Sequence, residues 1–505
     1  MIRSTDPEII LPYLHDASNL SGGYAHEVVF PEDEQDVIHI LDEACRSKTP
    51  VTVAGNGTGL VGARIPFGGI ILSTTKLGGF RKVCRIHENS AYAVTGPAIT
   101  LRKLQEAVSA HGFLYPPDPT EQNAFIGASV ATNASGARSF QYGATRNWVR
   151  RLKIVLPTGD ILELRRGECF ANNENYLIVK GSKNTFELPL PHYTLPHTKH
   201  SAGYYVAPGM DALDLFIGSE GTLGVFTEVE VELIPKPYGF FSGIAFFEQK
   251  EHAWQFVDQV REESLKNRIS REKDSLNACV LEYFDFSALN ILRDIYPEIP
   301  QQARSAIFFE QEIRPGSETR LTTEWLQLLQ NHHVLLSQSW FGKSVKEHTR
   351  FRIFRHAIPA LVNKILRQYK QMKIGTDFTV PNEHFFDLLG LYQQYLENSG
   401  LQYCTFGHIA DNHLHVNILP RNDQEAKKGW ELYNQLASQI IQWGGSLSAE
   451  HGIGKIKKIY LLKMTGRSGM MEMALIKKKL DPDGILGRGN IIPEEFLNNE
   501  DADER

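Results

Sequence analysis

Residues 51–62 read Val-Thr-Val-Ala-Gly-Asn-Gly-Thr-Gly-Leu-Val-Gly, and the nature of this glycine-rich run decides how the N-terminal half is built. Gly55, Gly57, Gly59 and Gly62 let the backbone turn its N–H groups toward one point, an anion nest. A flexible tight turn is the alternative for a loop standing alone. No Gly-Lys-Ser/Thr closes the run, so it is not a Walker loop. The spacing Gly55-x-Gly57-x-Gly59-x-x-Gly62, with no amphipathic helix after it, also departs from the dinucleotide pattern Gly-x-Gly-x-x-Gly. Val51-Thr52-Val53 suits a strand. Upstream, Val28-Val29-Phe30 suits another, and residues 31–48 carry a helical stripe of Val37, Ile38, Ile40, Leu41 and Ala44 behind a proline and acids. A β–α–β unit therefore delivers the loop. Residues 1–24 are expected to form a helical lead-in.

A second bare stretch follows. Leu114–Gly136 is LYPPDPTEQNAFIGASVATNASG, in which small residues remove side-chain bulk almost continuously from Gly127 onward. Such a backbone lets something large and flat lie against it. Residues 150–164 suit a hairpin turning at Thr158-Gly159-Asp160. Residues 213–234 suit a short helix, a turn through Gly218–Gly224, and a strand alternating Val225, Thr227, Val229, Val231 and Leu233.

Beyond Pro235-Lys236-Pro237 the pattern changes to that of a separate α+β domain with one mainly antiparallel sheet. Strands are expected over 240–247, 305–312, 334–341 and 373–380. Helices are expected over 252–265, 318–330, 343–369 and 383–398. At its end lies Thr405–Asn417, TFGHIADNHLHVN, with three histidines in eight residues. Asp411-Asn412 serves as a two-residue turn, since Asx residues tolerate positive φ. That turn pairs Ala410 with His413, Ile409 with Leu414, and His408 with His415, and puts His413 on the face of His415. Imidazoles so placed can share a metal ion, with Glu450 in Ser448-Ala449-Glu450-His451-Gly452 as a third donor. A histidine-rich hairpin without an ion is the alternative.

The 505 residues suffice for two or three domains. A net charge of −6 offers no global attraction for nucleic acid. No apolar run reaches the roughly 20 residues of a membrane span. The N-terminal MIRSTDPEIILPYLHD has acids and no apolar signal core, so a cytoplasmic location is expected, with peripheral attachment at the inner membrane face as the alternative. Five scattered cysteines suit a reducing compartment, and without a Cys-x-x-Cys pair the chain builds no iron–sulfur cluster of its own.

Taken together, AGNGTGLVGARIPFGG, PPDPTEQNAFIGASVATNASG, LFIGSEGTLGVFTEVEVELIP, and GHIADNHLHVN with AEHGIGK and DPDGILGRGN resemble, in this order, FAD-linked oxidoreductases of the vanillyl-alcohol oxidase and p-cresol methylhydroxylase superfamily. The nearest branch holds D-lactate dehydrogenase, glycolate oxidase and D-2-hydroxyglutarate dehydrogenase. The resemblance covers about residues 25–495 and implies an α+β fold: a two-lobed PCMH-type FAD-binding domain plus an α/β cap with a mainly antiparallel sheet. The implied divisions are 1–24 (lead-in), 25–237 (FAD domain), 238–445 (cap) and 446–505 (a segment returning to the FAD domain).

By the same resemblance, Gly55, Asn56, Gly57, Thr58 and Gly59 hold the pyrophosphate through backbone N–H groups. Pro117, Asp118, Thr120, Gly127, Ala128, Ser129, Ala131, Asn133, Ser135 and Gly136 line the cofactor. Glu220, Gly224 and Val225 lie near its adenosine and ribitol. Some relatives attach FAD through a histidine in the first loop, but none occurs in residues 54–69, which implies noncovalent FAD. The metal ligands carried over are His408, His415 and Glu450, for a divalent, zinc-like ion. His451 is then the base, taking the hydroxyl proton while hydride passes to flavin N5. Arg355 grips the substrate carboxylate, with Arg352 competing for the role.

Two positions depart from the branch pattern. Gly-Asn is replaced by Asn412-His413, so His413 becomes a fourth ligand, a substrate donor or a solvated turn residue. A lysine is replaced by Gly375, for which Lys373 is a substitute. Residues 168–212 form a long insertion with no functional account. The implied activity is oxidation of a D-2-hydroxy acid, with electrons passed to an external quinone, cytochrome, electron-transfer flavoprotein or iron–sulfur partner. A homodimer is compatible with this reading. An FAD oxidase of an alcohol, phenol or sugar, and a flavin-free metal-dependent hydrolase or metal-binding module, are the rival classes.

Overall fold

A computed structural model of the chain describes residues 1–272 and 274–498. The strands around the first glycine-rich run form a small sheet in the order Ile2–Ser4, Glu27–Phe30, Ile70–Ser73, Val51–Ala54, the last three parallel. Helix Glu34–Ser47 covers it, burying Val37, Ile40, Leu41 and Ala44; Asp33 caps its N-terminus by accepting from the Asp36 N–H. The lead-in is not a helix. Ile2–Ser4 pairs antiparallel with Glu27–Phe30, and only Pro7–Ile10 is α-helical before a 3-10 turn at Leu11–Tyr13. Pro12 lacks the N–H that would continue it.

A six-stranded antiparallel sheet forms the second lobe, ordered Phe80–His87, Ser90–Thr95, Val225–Pro235, Val149–Val155, Ile161–Arg165, with Phe113–Leu114 also on Val225–Pro235. The long insertion supplies the hairpin Tyr176–Lys180 with Thr185–Pro189 and then runs through bends and turns to helix Ala212–Phe216.

An eight-stranded antiparallel sheet organises the cap. Its order is Trp340–Gly342, Gly239–Phe247, Ser305–Ile313, Ala278–Asp285, Tyr403–Gly407, His413–Ile418, Ile374–Gly375, with Phe378–Thr379 also on His413–Ile418. Helices Lys250–Ser270 and Glu318–Asn331 pack on one face, where Trp325 stacks on Phe309 at 4.2 Å. Helices Phe286–Arg293 and Val345–Tyr369 cover the other. Two expected strands are shorter than their sequence suggests. In 334–341 an isolated bridge from Val334 to Phe247 and a 3-10 turn, Leu336–Gln338, precede the strand, which begins only at Trp340. In 373–380 the run breaks into two-residue pieces around Thr376-Asp377, because the Asp377 side chain is drawn inward by polar partners.

The hairpin register also differs from expectation. His415 pairs with Phe406, not His408. The connection is a 3-10 turn, Ile409–Asp411, closed by Asn412 at φ +53°, so the strand ends at Gly407 and His408 stands in the loop. The two-residue offset preserves which face each side chain takes. The C-terminal segment returns to the first sheet: Val51 N–H donates to the Ile485 carbonyl at 2.8 Å and Lys455 N–H to that of Val61 at 3.0 Å.

Asp285 ties strand to helix. It accepts from the N–H groups of Ala288 at 2.7 Å and Thr405 at 2.8 Å, and burial pushes its pKa up to about 7. A raised folded-state pKa gives stability that is full below the unfolded value near 3.9 and lost as pH rises through 7. Asp285→Asn should therefore flatten the decline in denaturant midpoint between about pH 4 and 7, measured by urea unfolding across that range.

Candidate active site

The site is built where the histidine hairpin meets residues 448–454. Ring centroids lie 5.3 Å apart for His408 and His413, 5.8 Å for His408 and His415, and 4.4 Å for His413 and His415. One nitrogen of each ring faces an outer partner. His408 Nδ1 is 2.6 Å from Glu282 Oε1, His413 Nε2 is 3.1 Å from Asp377 Oδ1, and His415 Nδ1 is 3.2 Å from the Thr376 carbonyl. Glu450 Oε1 lies 3.1 Å from His408 Nε2 and 3.9 Å from His413 Nδ1. One donor atom from each of His408, His413, His415 and Glu450 falls within 4.8 Å of all the others. Both His413 ring nitrogens are buried without a well-aligned hydrogen bond. Three imidazoles and a carboxylate converging on one point, with buried nitrogens left unsatisfied, fit a divalent ion.

Asp377 is the hub behind this group. Its buried carboxylate accepts from Glu450 N–H at 3.2 Å, His451 N–H at 3.0 Å and Lys457 Nζ at 2.7 Å, and its backbone carbonyl accepts from Ala449 N–H at 2.9 Å. Burial alone would raise its pKa, but His451, Lys457 and His413 hold it well below the usual carboxylate range. Glu220 secures the next residues, accepting from Ile453 and Gly454 N–H at 2.7 Å each; burial pushes its pKa up to about 7.

His451 Nδ1 stands 3.2 Å from Asp377 Oδ2, and its ring stacks on His415 at 5.6 Å. Burial, partly offset by Asp377, lowers its pKa to about 4, so the ring is neutral at pH 7. Its side chain nevertheless keeps 28% exposure, against 0% for His413.

Glu450 also accepts from Ser135 Oγ at 2.8 Å and from Lys199 Nζ. Lys199, from the insertion, further donates to Ser139 Oγ at 2.8 Å. Burial opposes ionisation of Glu450, yet His408 and Lys199 keep its pKa well below the ordinary value.

The two bare stretches face each other. A Cβ on Gly55 would lie 3.1 Å from that of Ala128. Gly57 has φ +76°, and Arg64 lies against it while donating to the Gly55 carbonyl at 2.8 Å. Asn56 donates to the Asn123 carbonyl at 2.8 Å; Thr58 and Gly59 continue the loop. Gly127 packs on Pro97, and Ser129 Oγ donates to the Phe125 carbonyl at 3.2 Å within helix Ile126–Ala131. The Ala131 carbonyl accepts from Glu220 N–H at 2.8 Å, and Asn133 Oδ1 from Arg146 N–H at 3.0 Å. A Cβ on Gly136 would fall 2.0 Å from the Asp118 carbonyl, so no side chain fits there. Gly224 packs against Ile154 and Val225 is buried, placing both in the wall behind the loop.

Pro117, Asp118 and Thr120 lead toward the cap. Asp118 pairs with Arg352 at 3.0 Å, and Thr120 accepts from Arg355 at 3.3 Å. Arg355 also lies 3.2 Å from Glu282, forming a chain to His408; Arg352 is 42% exposed and Arg355 11%. Exposed Lys373 sends its Cε to 3.8 Å from where a Gly375 Cβ would stand, close to Asn417. Sequence reading misses Asp377, Glu282 and Lys199. For Glu282 a signal exists: one acid inside the apolar run Val280–Phe284.

Two family models match this chain: the FAD binding domain over residues 25–165 and the C-terminal domain of FAD linked oxidases over 259–491. The chain belongs to the FAD-linked oxidases. As a member of that family it is 26% identical to glycolate oxidase subunit GlcD of Bacillus subtilis, over 96% of this chain and 93% of the relative. It is also 26% identical to D-lactate dehydrogenase of Anaerostipes hadrus, with the same coverage. Identity to the mitochondrial D-2-hydroxyglutarate dehydrogenase of Danio rerio is 26% over 97% of this chain and 83% of that one. A solved alkyldihydroxyacetonephosphate synthase shares the fold, with TM-score 0.65 at 15% identity, covering 96% of this chain and 81% of that one. This FAD-linked oxidase has no helix long and apolar enough to cross a membrane among its described residues.

Asp377→Ala would strand buried Lys457 and two N–H groups. It should cost about 3–5 kcal/mol of unfolding free energy, measured by denaturant unfolding of the flavin-loaded protein.

Proposed function

We propose that the chain is a dehydrogenase of a D-2-hydroxy acid, with D-lactate and glycolate as first candidates and D-2-hydroxyglutarate as the third. The observation that carries this reading is the double contact of Glu450, with Ser135 of the second glycine-rich stretch and His408 of the cap. That contact supports a flavin site adjoining the imidazole cluster.

FAD, when bound noncovalently, supplies the two-electron acceptor, and a divalent ion, zinc by its donor set, supplies a Lewis acid for the substrate carboxylate and hydroxyl. The first loop offers N–H groups to the pyrophosphate, and the second leaves room for the flat ring. His408, His415 and Glu450 hold the ion. His451 takes the hydroxyl proton on Nε2, because Asp377 beside Nδ1 favours the proton on that nitrogen and stabilises the imidazolium that forms. Arg355, or Lys373, receives a carboxylate of the substrate. Electrons leave to an external acceptor, since the scattered cysteines build no relay within the chain.

A screen of D- and L-2-hydroxy acids with an artificial electron acceptor tests the reading. Turnover is expected with a D-acid or glycolate and not with L-lactate; activity confined to alcohols, phenols or sugars with peroxide release would refute it. His451→Asn should lower kcat about 10²- to 10⁴-fold with flavin content unchanged. Chelation followed by dialysis should abolish turnover and zinc should restore it, whereas an untouched rate in chelator would remove the ion from the mechanism.

A further inference from the structure

We propose that His413 is itself a ligand of the ion, so that the chain holds it with three imidazoles and one carboxylate. This deepens the reading above and rests on its claim that an ion sits between the hairpin and Glu450.

The His413 side chain has 0% exposure, which excludes a solvated turn residue. An imidazole taken wholly out of water needs partners for both nitrogens. Neither has a well-aligned hydrogen bond among the described residues, but Nε2 faces an ionised carboxylate, Asp377 Oδ1, at 3.1 Å, whereas the nearest acid oxygen to Nδ1, Glu450 Oε1, is 3.9 Å away.

The carboxylate decides the chemistry of the other nitrogen. Asp377 favours the proton on Nε2, leaving Nδ1 with a lone pair. A lone pair cannot donate to a substrate carboxylate or ketone, which excludes a substrate donor. It can bind a cation. An imidazole whose second nitrogen faces a carboxylate or carbonyl is the usual arrangement of a metal-ligating histidine. His408 with Glu282 and His415 with the Thr376 carbonyl have the same arrangement, so His413 completes a set of three.

The distances fit one shared ion. Donors bound to one ion at about 2.1 Å each stand roughly 3–4 Å apart. The Nδ1 of His413 is 3.9 Å from Glu450 Oε1, and the Nε2 of His408 is 3.1 Å from it. A third imidazole also shifts the site's preference toward zinc, cobalt or nickel and away from magnesium or calcium.

The test uses the full-length flavoprotein, stripped of metal and reloaded with cobalt, and counts imidazoles per ion by X-ray absorption. Zinc affinity is measured in parallel by competition with a chromophoric chelator. Wild type should show three imidazoles, and His413→Asn two, with zinc affinity weakened about 10- to 100-fold and flavin content unchanged. Two imidazoles in the wild type overturn the inference without any variant. So does a His413→Asn protein equal to wild type in count and affinity while His415→Ala loses the ion, an outcome that leaves the ion itself in place. Flavin-replete wild type that takes up neither cobalt nor zinc overturns this inference and the ion reading together.

Discussion

The ionised carboxylate of Asp377, buried to 1% exposure, is the constraint on which the site depends. Such a charge persists only if other groups surround it with positive charge and N–H donors. Lys457 supplies the cation, and the N–H groups of Glu450 and His451 supply the donors. Satisfying one charge therefore fixes the backbone that presents both a candidate ion ligand and the candidate base. The carboxylate also faces two imidazoles, His413 at Oδ1 and His451 at Oδ2.

Charged groups also join the halves of the molecule. Glu450 lies between Ser135 on the flavin side and His408 on the cap side, and Lys199 reaches it from the insertion. Arg352 with Asp118 and Arg355 with Thr120 add polar contacts across the same seam. Apolar side chains pack across the seam as well, Phe140 and Ala137 against the two cores of the cap.

Much of the frame is legible in the sequence because its signals are local. The stripe from Val37 to Ala44 names its helix. The histidine hairpin is legible in kind but not in register: Asp411-Asn412 suits a tight turn, yet the chain spends Ile409–Asp411 on a 3-10 turn. A shift by an even number of residues keeps the face, so the clustering of the histidines survives the error. Lys199 is illegible for another reason: it meets Glu450 across 251 positions and lies in a stretch without periodicity. The strand Ala278–Asp285, buried on both faces, shows no alternation to announce itself.

Anaerobic mixing of the flavin- and zinc-loaded protein with D-lactate, glycolate or D-2-hydroxyglutarate, followed in the flavin absorption band, tests the central claim most directly. The account predicts that at least one of these acids bleaches the flavin within the turnover time while L-lactate leaves it oxidised. A flavin that stays oxidised with every 2-hydroxy acid, in protein fully loaded with both groups, would contradict it.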